Sequence, residues 1–212
     1  MIMKKSFIKD ALILFLITII AGVALGGVYA VTKDPIAQAE YNKQQNAYRE
    51  VMKDAAEFKE LPGFDQAAAS KVLADASLGD DNVVEGVVQA VDSSGSLLGY
   101  VISVTNSAGY GGNITFSVGY KTDGTVTGYS LTTINETAGL GMKAKEDPFK
   151  SQYNDKKVDS FEVTKSAAAS DNQIEAISGA TITSRAVTGG MNAAIAYGAY
   201  LMTETGGELI NE

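Results

Sequence analysis

The chain has 212 residues, enough for one domain of ordinary size and an additional segment, and it contains no Cys and no His. This composition excludes disulfides, catalytic sets of the Ser–His–Asp or Cys–His type, and the commonest ligands of zinc, haem and iron–sulfur clusters. The net charge of −8 makes nucleic acid a poor partner. Carboxylate sites for calcium or magnesium remain possible, but no loop has EF-hand spacing and we assign no residue to a metal. Any redox chemistry would need an organic cofactor.

The N-terminal segment predicts a membrane anchor. Ala11 to Val31 holds 21 residues without a charge, which at ~1.5 Å per residue cross a hydrocarbon core of ~30 Å. Because Lys4, Lys5 and Lys9 precede this span, the positive-inside rule places residues 1–10 in the cytoplasm and the rest of the chain outside the cell (inner) membrane. A cleaved signal peptide is the alternative, although its apolar core would be unusually long.

A membrane-proximal helix is predicted over residues 32–61. Helix-forming residues dominate this segment, and Tyr41, Tyr48 and Phe58 contribute to a partial apolar stripe. Pro62-Gly63 then ends the helix. The remaining residues, 62–212, are predicted to form the extracytoplasmic domain.

The apolar pattern of that domain changes to the alternation of strands from Val83 onward. Two hairpins are predicted, Val83–Asp92 with Leu97–Val104 and Asn113–Tyr120 with Thr125–Thr133, followed by a strand over Val158–Thr164. Short helices are predicted over Asp65–Ser77, Met142–Tyr153 and Thr183–Thr203. We therefore predict an α+β fold, with a small antiparallel sheet and flanking helices, preceded by a single N-terminal transmembrane helix.

Three turns of small residues lie between these elements. Ser107–Asn113 and Asn135–Phe149 are rich in glycine, and Ser178–Thr181 leads into the last helix. Each taken alone is explained as a turn, because glycine permits positive φ and close backbone approach. Three of them in one small domain suggest that the backbone surrounds a ligand.

The segment Ser178–Thr181 has two interpretations. The N–H groups at the start of a helix bind phosphate, and Gly179 and Ala180 add no bulk beside them. A helix cap formed by Ser178 or Thr181 also explains these residues, and taken alone they favour the cap. Arg185, four residues after Thr181, would lie on the same face of the helix and could meet a negative group attached there.

Ser178-Gly179-Ala180-Thr181, followed by Ile182-Thr183-Ser184, resembles the flavin-attachment motif of the FMN-binding domain family. In that family a flavin transferase takes FMN from FAD and esterifies its phosphate to the Thr of the motif. The turn Gly109–Gly112 and the sequence Glu136–Gly141, which is similar to the family's E-T-P-G-L-G turn, support the resemblance. Ala138 stands where the family has Pro, and Glu175 stands where it usually has Asp.

The resemblance implies one cofactor, FMN, held covalently by a phosphoester to Thr181. It implies that small side chains and N–H groups surround the phosphate, that Tyr110 lies against the ring, and that Lys143 or Arg185 stabilises a negatively charged reduced flavin. No general acid or base is implied. The implied contact residues, besides Thr181, are Ser178, Gly179, Ala180, Thr183, Tyr110, Gly111, Glu136, Thr137, Gly139, Leu140 and Arg185.

The order of the motifs, the anchor and the chain length are similar to the G subunits of Rnf complexes, membrane ferredoxin:NAD⁺ oxidoreductases that couple electron flow to Na⁺ or H⁺ translocation. This likeness implies an electron relay without turnover when isolated, with the other subunits as partners and a flavin transferase acting during maturation. Three alternatives remain: the C subunit of a Na⁺-translocating NADH:quinone reductase, a tethered FMN domain of an extracellular electron-transfer chain, and a pilin-like surface protein.

Overall fold

A computed structural model of the chain describes residues 3–210. The chain separates after Lys43 into two compact units. Helix α1, Met3–Val51, begins in the first unit and contains Pro35. From Phe7 onward this helix is long and apolar enough to cross a membrane. The predicted apolar span therefore lies within a helix.

A five-stranded antiparallel sheet forms the centre of the second unit. Its strands run in chain order, so that each pairs with the next. The middle strands are buried over most of their length, which means that both faces of the sheet are covered. The strands are β1 (Glu57–Glu60), β2 (Asn82–Val91), β3 (Leu97–Asn106), β4 (Ile114–Lys121) and β5 (Val126–Thr133).

Both predicted hairpins are confirmed, and their turns show why the chain reverses there. The Asp92 carboxylate accepts hydrogen bonds from the backbone N–H groups of Ser94 and Ser96, at 2.8 and 2.9 Å. Gly95 in that turn has φ = 82°, and Gly124 between β4 and β5 has φ = 85°. Glycine adopts these positive φ values without strain, which makes it the natural residue in both turns.

One face of the sheet is covered by helices α2 (Gln66–Asp75) and α4 (Thr181–Thr205). Two glycines let α4 approach the sheet closely. A Cβ atom at Gly190 would lie 2.5 Å from the Phe116 ring, and one at Gly198 would lie 2.6 Å from the Tyr120 ring. Larger residues at these positions would force the helix away from the sheet.

The opposite face of the sheet is covered by the end of α1. Tyr48, Val51 and Met52 are buried there against aliphatic residues of β2 and β3. Glu50, on the same turn, accepts hydrogen bonds from Ser130 and Lys150. Partial burial raises the pKa of Glu50, but these hydrogen bonds and the nearby lysine charges outweigh that effect and leave the pKa below its ordinary value.

The structure corrects several predicted boundaries. The membrane-proximal helix was predicted to reach residue 61, but α1 ends at Val51 and residues 57–60 form β1 on the edge of the sheet. The last helix begins at Thr181, two residues earlier than predicted. The predicted strand over Val158–Thr164 is shortened to β6 (Glu162–Thr164), which pairs in parallel with the unpredicted β7 (Gln173–Glu175).

The single helix predicted over Met142–Tyr153 is wrong. Three short pieces replace it: a 3₁₀ helix at Gly141–Lys145, helix α3 at Asp147–Lys150 and a 3₁₀ helix at Ser151–Tyr153. Pro148 lies in the first turn of α3, and the backbone at Glu146 before it is extended. Proline fits in the first turn of a helix, but further along a helix its ring would clash with the carbonyl group of the residue four positions earlier. The residue before proline also disfavours the helical conformation. A continuous helix over Met142–Tyr153 is therefore excluded.

Three side-chain amides each bind both backbone polar groups of one residue. An amide offers a donor and an acceptor side by side, as a neighbouring strand does. These bonds tie segments outside the main sheet to the rest of the second unit. The pairs are Gln89 with Ile210 (both 2.8 Å), Asn192 with Phe161 (2.7 and 2.9 Å) and Gln152 with Glu175 (2.7 and 3.3 Å).

The predicted fold class is confirmed. The second unit combines an antiparallel sheet with helices on its faces, and one apolar helix precedes it.

Candidate functional site

The segment before α4 is a tight turn whose geometry explains its small residues. The N–H of Ala180 donates to the carbonyl of Ile177 at 2.9 Å, and Gly179 has φ = 77°. Among the four residues of the turn only Gly179 has a positive φ, which is the signature of a type II turn with glycine at its third position. The glycine is therefore required by the backbone.

Helix α4 starts without a side-chain cap. Ala180 is the N-cap residue, so neither Ser178 nor Thr181 caps the helix, and that interpretation of the segment is wrong. Within residues 3–210, the N–H groups of Thr181, Ile182 and Thr183 have no hydrogen-bond acceptor, and the Thr181 hydroxyl makes no hydrogen bond. The helix start thus offers unpaired donors beside an available hydroxyl.

The four residues after Glu136, Thr137–Leu140, form a turn with the same geometry. The N–H of Leu140 donates to the carbonyl of Thr137 at 3.1 Å, and Gly139 has φ = 74°. Ala138 occupies the second position of this turn, where proline is common in type II turns. The glycine in this motif is therefore explained in the same way as Gly179.

Glu136 joins the first glycine-rich turn to the second. Its side chain is buried, and one carboxylate oxygen accepts a hydrogen bond from the N–H of Gly111 at 3.2 Å. A Cβ atom at Gly111 would lie 2.0 Å from the carbonyl oxygen of Asn135. The two turns can approach this closely only because residue 111 has no side chain.

The second turn also meets the helix start. A Cβ atom at Gly141 would lie 2.6 Å from both the other Glu136 oxygen and the Thr183 hydroxyl oxygen. A Cβ atom at Gly179 would lie 3.1 Å from the Leu140 side chain. The structure therefore brings the three sequence motifs, far apart along the chain, into one site.

Exposed apolar side chains mark the same place. Tyr110 is 71% exposed, Ile182 52% and Leu140 42%, one from each motif. In the described part of the second unit, Val83 is the only other large apolar side chain that is similarly exposed. Singly exposed apolar residues are ordinary, but three around one uncapped helix start provide a surface for a flat apolar group.

The two predicted cationic residues are not brought together. Arg185 and Ile182 line a cavity of about 450 Å³ that also includes Asp80 and Asp81. Lys143 lines a different cavity, of about 320 Å³, together with Ser178. Lys143 and Arg185 therefore line two separate cavities, one shared with Ser178 and the other with Ile182.

The remaining predicted contact residues differ in their exposure to solvent. Thr137 and Gly139 are exposed in the second turn and Ser178 is exposed in the third, whereas Thr183 is buried with its hydroxyl directed at Gly141. Ser184, to which the sequence motif assigned no role, is fully buried and hydrogen-bonded to both Ile177 and Ala180. Its spacing of four residues after Ala180 is the only signal in the sequence, since a helical serine often bonds the carbonyl four residues before it.

Comparison with known proteins decides the family. Residues 1–51 match the model of the RnfG N-terminal region, and residues 109–196 match that of the FMN-binding domain. The G subunit of the proton-translocating ferredoxin:NAD⁺ oxidoreductase complex of Clostridium ljungdahlii is 34% identical over 190 residues, which are 89% of this chain and 88% of that protein. The chain belongs to the family of Rnf G subunits.

A second relative among the Rnf G subunits is found in Acetobacterium woodii. This protein, from a Na⁺-translocating ferredoxin:NAD⁺ oxidoreductase complex, is 33% identical over 194 residues, covering 90% of this chain and 91% of the relative. A crystal structure of the C subunit of the Na⁺-translocating NADH-quinone reductase from Parabacteroides distasonis is 23% identical, covers 71% of this chain and 78% of its own, and has a TM-score of 0.46.

Family membership sets aside two of the other interpretations of the sequence. The quinone-reductase and pilin-like alternatives do not agree with Rnf relatives that cover nearly the whole chain. The FMN-binding model begins at Gly109, within the first turn, and includes the second and third turns of the site in full.

Proposed function

We propose that this chain is the membrane-anchored electron-transfer subunit of an ion-translocating ferredoxin:NAD⁺ oxidoreductase, and that it carries FMN joined through its phosphate to Thr181. One observation carries the attachment site. Thr181 is the first residue of α4, its hydroxyl makes no hydrogen bond within residues 3–210, and unpaired N–H groups follow it. A helix start of this kind stabilises a phosphate by its donors and its dipole.

The residues around Thr181 fit FMN. Gly179 and Ala180 put little side-chain bulk beside the helix start, and Tyr110, Leu140 and Ile182 offer exposed apolar surface for the ring. Stacking on Tyr110 would add a favourable aromatic contact. FMN, when bound, would accept and donate electrons, and the protein residues would hold it in place and exclude water from one face.

The proposed role as a subunit of a larger complex is supported by the family to which the chain belongs. Relatives that cover nearly the whole chain are subunits of complexes that move Na⁺ or protons and link ferredoxin to NAD⁺. Other subunits of such a complex are therefore the proposed partners, with a flavin transferase needed during maturation. The apolar part of α1 would hold the chain in the membrane, with its N-terminus in the cytoplasm and the second unit outside.

The attachment site is tested by expressing the full-length chain together with a flavin transferase. After denaturing electrophoresis, the wild-type band should fluoresce under ultraviolet light, and its mass should exceed that of the unmodified chain by one FMN less one water. Thr181→Ala should abolish both signals. Thr181→Ser, which keeps a hydroxyl at the same place, should retain them.

Thr203→Ala is the matched control, because Thr203 lies on the same helix and its hydroxyl bonds the carbonyl of Ala199 and no other group within residues 3–210. This variant should fluoresce like the wild type. A dark wild-type band in the presence of active transferase, or a bright Thr181→Ala band, would overturn the assignment.

A further inference from the structure

Ser184 connects the two ends of the turn that precedes α4. Its hydroxyl oxygen accepts the N–H of Ile177 at 3.0 Å and donates its hydrogen to the carbonyl of Ala180, also at 3.0 Å. Ile177 and Ala180 are the first and last residues of that turn. The Ser184 side chain is completely buried, so water does not compete for these bonds.

We propose that Ser184 is a positioning residue for the attachment of FMN to Thr181, an inference that rests on the proposed function. Thr181 directly follows the turn that Ser184 closes. By fixing both ends of the turn to the helix, Ser184 fixes the direction of the Thr181 hydroxyl relative to the unpaired N–H groups of α4. A hydroxyl suits this role because it donates and accepts at one atom.

The same bonds explain why Ser184 would not itself be modified. Among the hydroxyls of this segment, those of Thr183 and Ser184 are buried, and the Ser184 hydrogen is directed to Ala180. Thr181 is partly exposed and its hydroxyl makes no hydrogen bond within residues 3–210. Ser184 therefore acts on the reaction only through the position of Thr181.

The attachment step is redox-neutral. The Thr181 oxygen forms a bond to the phosphorus nearest the flavin in FAD, the pyrophosphate bond breaks, AMP leaves with the bridging oxygen, and the hydroxyl proton is released. Because this substitution at phosphorus requires an aligned nucleophile, a displaced hydroxyl slows it even when the protein is folded.

The experiment compares Ser184→Ala with a matched control, Gln152→Ala. Gln152 also binds both backbone groups of a single residue, Glu175, but that residue precedes the turn. Each variant of the full-length chain, in detergent, is mixed with purified transferase and FAD, and the initial rate of fluorescent labelling is measured at saturating protein. Amide hydrogen exchange at Ile177 is measured on the same samples without FAD.

Ser184→Ala should lower the labelling rate by about tenfold or more, because small displacements of a reacting group cost that much. It should also speed exchange of the Ile177 amide. Gln152→Ala should label at close to the wild-type rate and leave exchange at Ile177 unchanged. If Ser184→Ala does not fold, Ser184→Cys carries the same expectations, because a thiol fills a similar space but bonds weakly.

The experiment distinguishes failure of the proposed function from failure of the positioning role of Ser184. If wild-type chain incorporates no FMN, the proposed function fails. If the wild type is labelled at Thr181 and the Ser184 variant is labelled equally fast, or if Gln152→Ala is slowed as much as Ser184→Ala, only the positioning role of Ser184 is overturned.

Discussion

Two glycines in this chain occupy equivalent places in two turns of the same type. Gly139 and Gly179 have φ values of 74° and 77°, and each follows a small residue at the second position of its turn. One turn contacts the other through Leu140, which lies beside Gly179. At the residue scale, the site is therefore a pair of matched turns placed against a helix start.

Gly179→Ala should lower the free energy of unfolding by about 1–2 kcal/mol, because an L-residue is strained at positive φ. Urea unfolding of the detergent-solubilised chain, followed by tyrosine fluorescence, measures the change. Gly63→Ala is the control: Gly63 has φ = 72° and nothing within 4 Å of its Cβ position. Both variants should lose similar stability, but only Gly179→Ala should also reduce FMN attachment. An unchanged unfolding midpoint for Gly179→Ala would contradict the positive φ of residue 179 in a type II turn.

Ala138→Pro should raise the free energy of unfolding by about 0.4–1 kcal/mol. Proline suits the second position of a type II turn, and it restricts the unfolded chain more than the folded one. Ala138 is exposed, and its N–H donates to no backbone carbonyl within residues 3–210, so no bond is lost. Ala138→Gly should shift the same urea midpoint in the opposite direction. Destabilisation by proline would show that the turn has a different geometry.

The residues of the site could be predicted from the sequence only where a local rule applies. Three segments of small residues and the presence of a helix close behind Ser178–Thr181 could be predicted, because glycine and helix signals are local, although the helix begins two residues earlier than predicted. The contact between Glu136 and Gly111 could not be predicted, since it joins residues 25 positions apart. The absence of a side-chain cap at the start of α4 could not be predicted either, because Ser178 and Thr181 are both residue types that usually form caps.

At the element scale, the end of α1 belongs to the folded unit rather than to the membrane segment. Tyr48, Val51 and Met52 are nearly inaccessible to solvent and cover one face of the sheet. Periodicity predicted a helix here, but it could not show where the helix would stop, since residues 57–60 become a strand only by pairing with β2. Edge strands depend on their neighbours more than on their own sequence.

Two truncated chains test this division. A chain that starts at Gln44 keeps Tyr48, Val51 and Met52, and should unfold cooperatively in urea. A chain that starts at Asp54 lacks them and should be less stable by at least ~3 kcal/mol, because each buried apolar side chain contributes about 1.5–3 kcal/mol. Equal unfolding midpoints for the two chains would show that the end of α1 does not stabilise the sheet.

At the scale of the whole molecule, the absence of Cys from the sequence allows orientation to be measured directly. Ser93→Cys lies in the exposed turn between β2 and β3, and Ser6→Cys precedes the apolar span. In intact spheroplasts a membrane-impermeant maleimide should label Ser93→Cys and should not label Ser6→Cys, because the lysines near the N-terminus favour the cytoplasm. After lysis both variants should react. Labelling of Ser6→Cys alone before lysis would reverse the proposed orientation.

The place of Thr181 in the fold has a consequence for how electrons would pass. Thr181 begins a helix that packs along β2, β3 and β4, the most buried part of the second unit. FMN bonded there through its phosphate would be tied to a fixed point of the fold, with the ribityl chain between that point and the ring. Within the second unit the ring could move only as far as rotation about the bonds of that chain allows. Donor and acceptor would therefore have to come within reach of the ring around this one point of attachment.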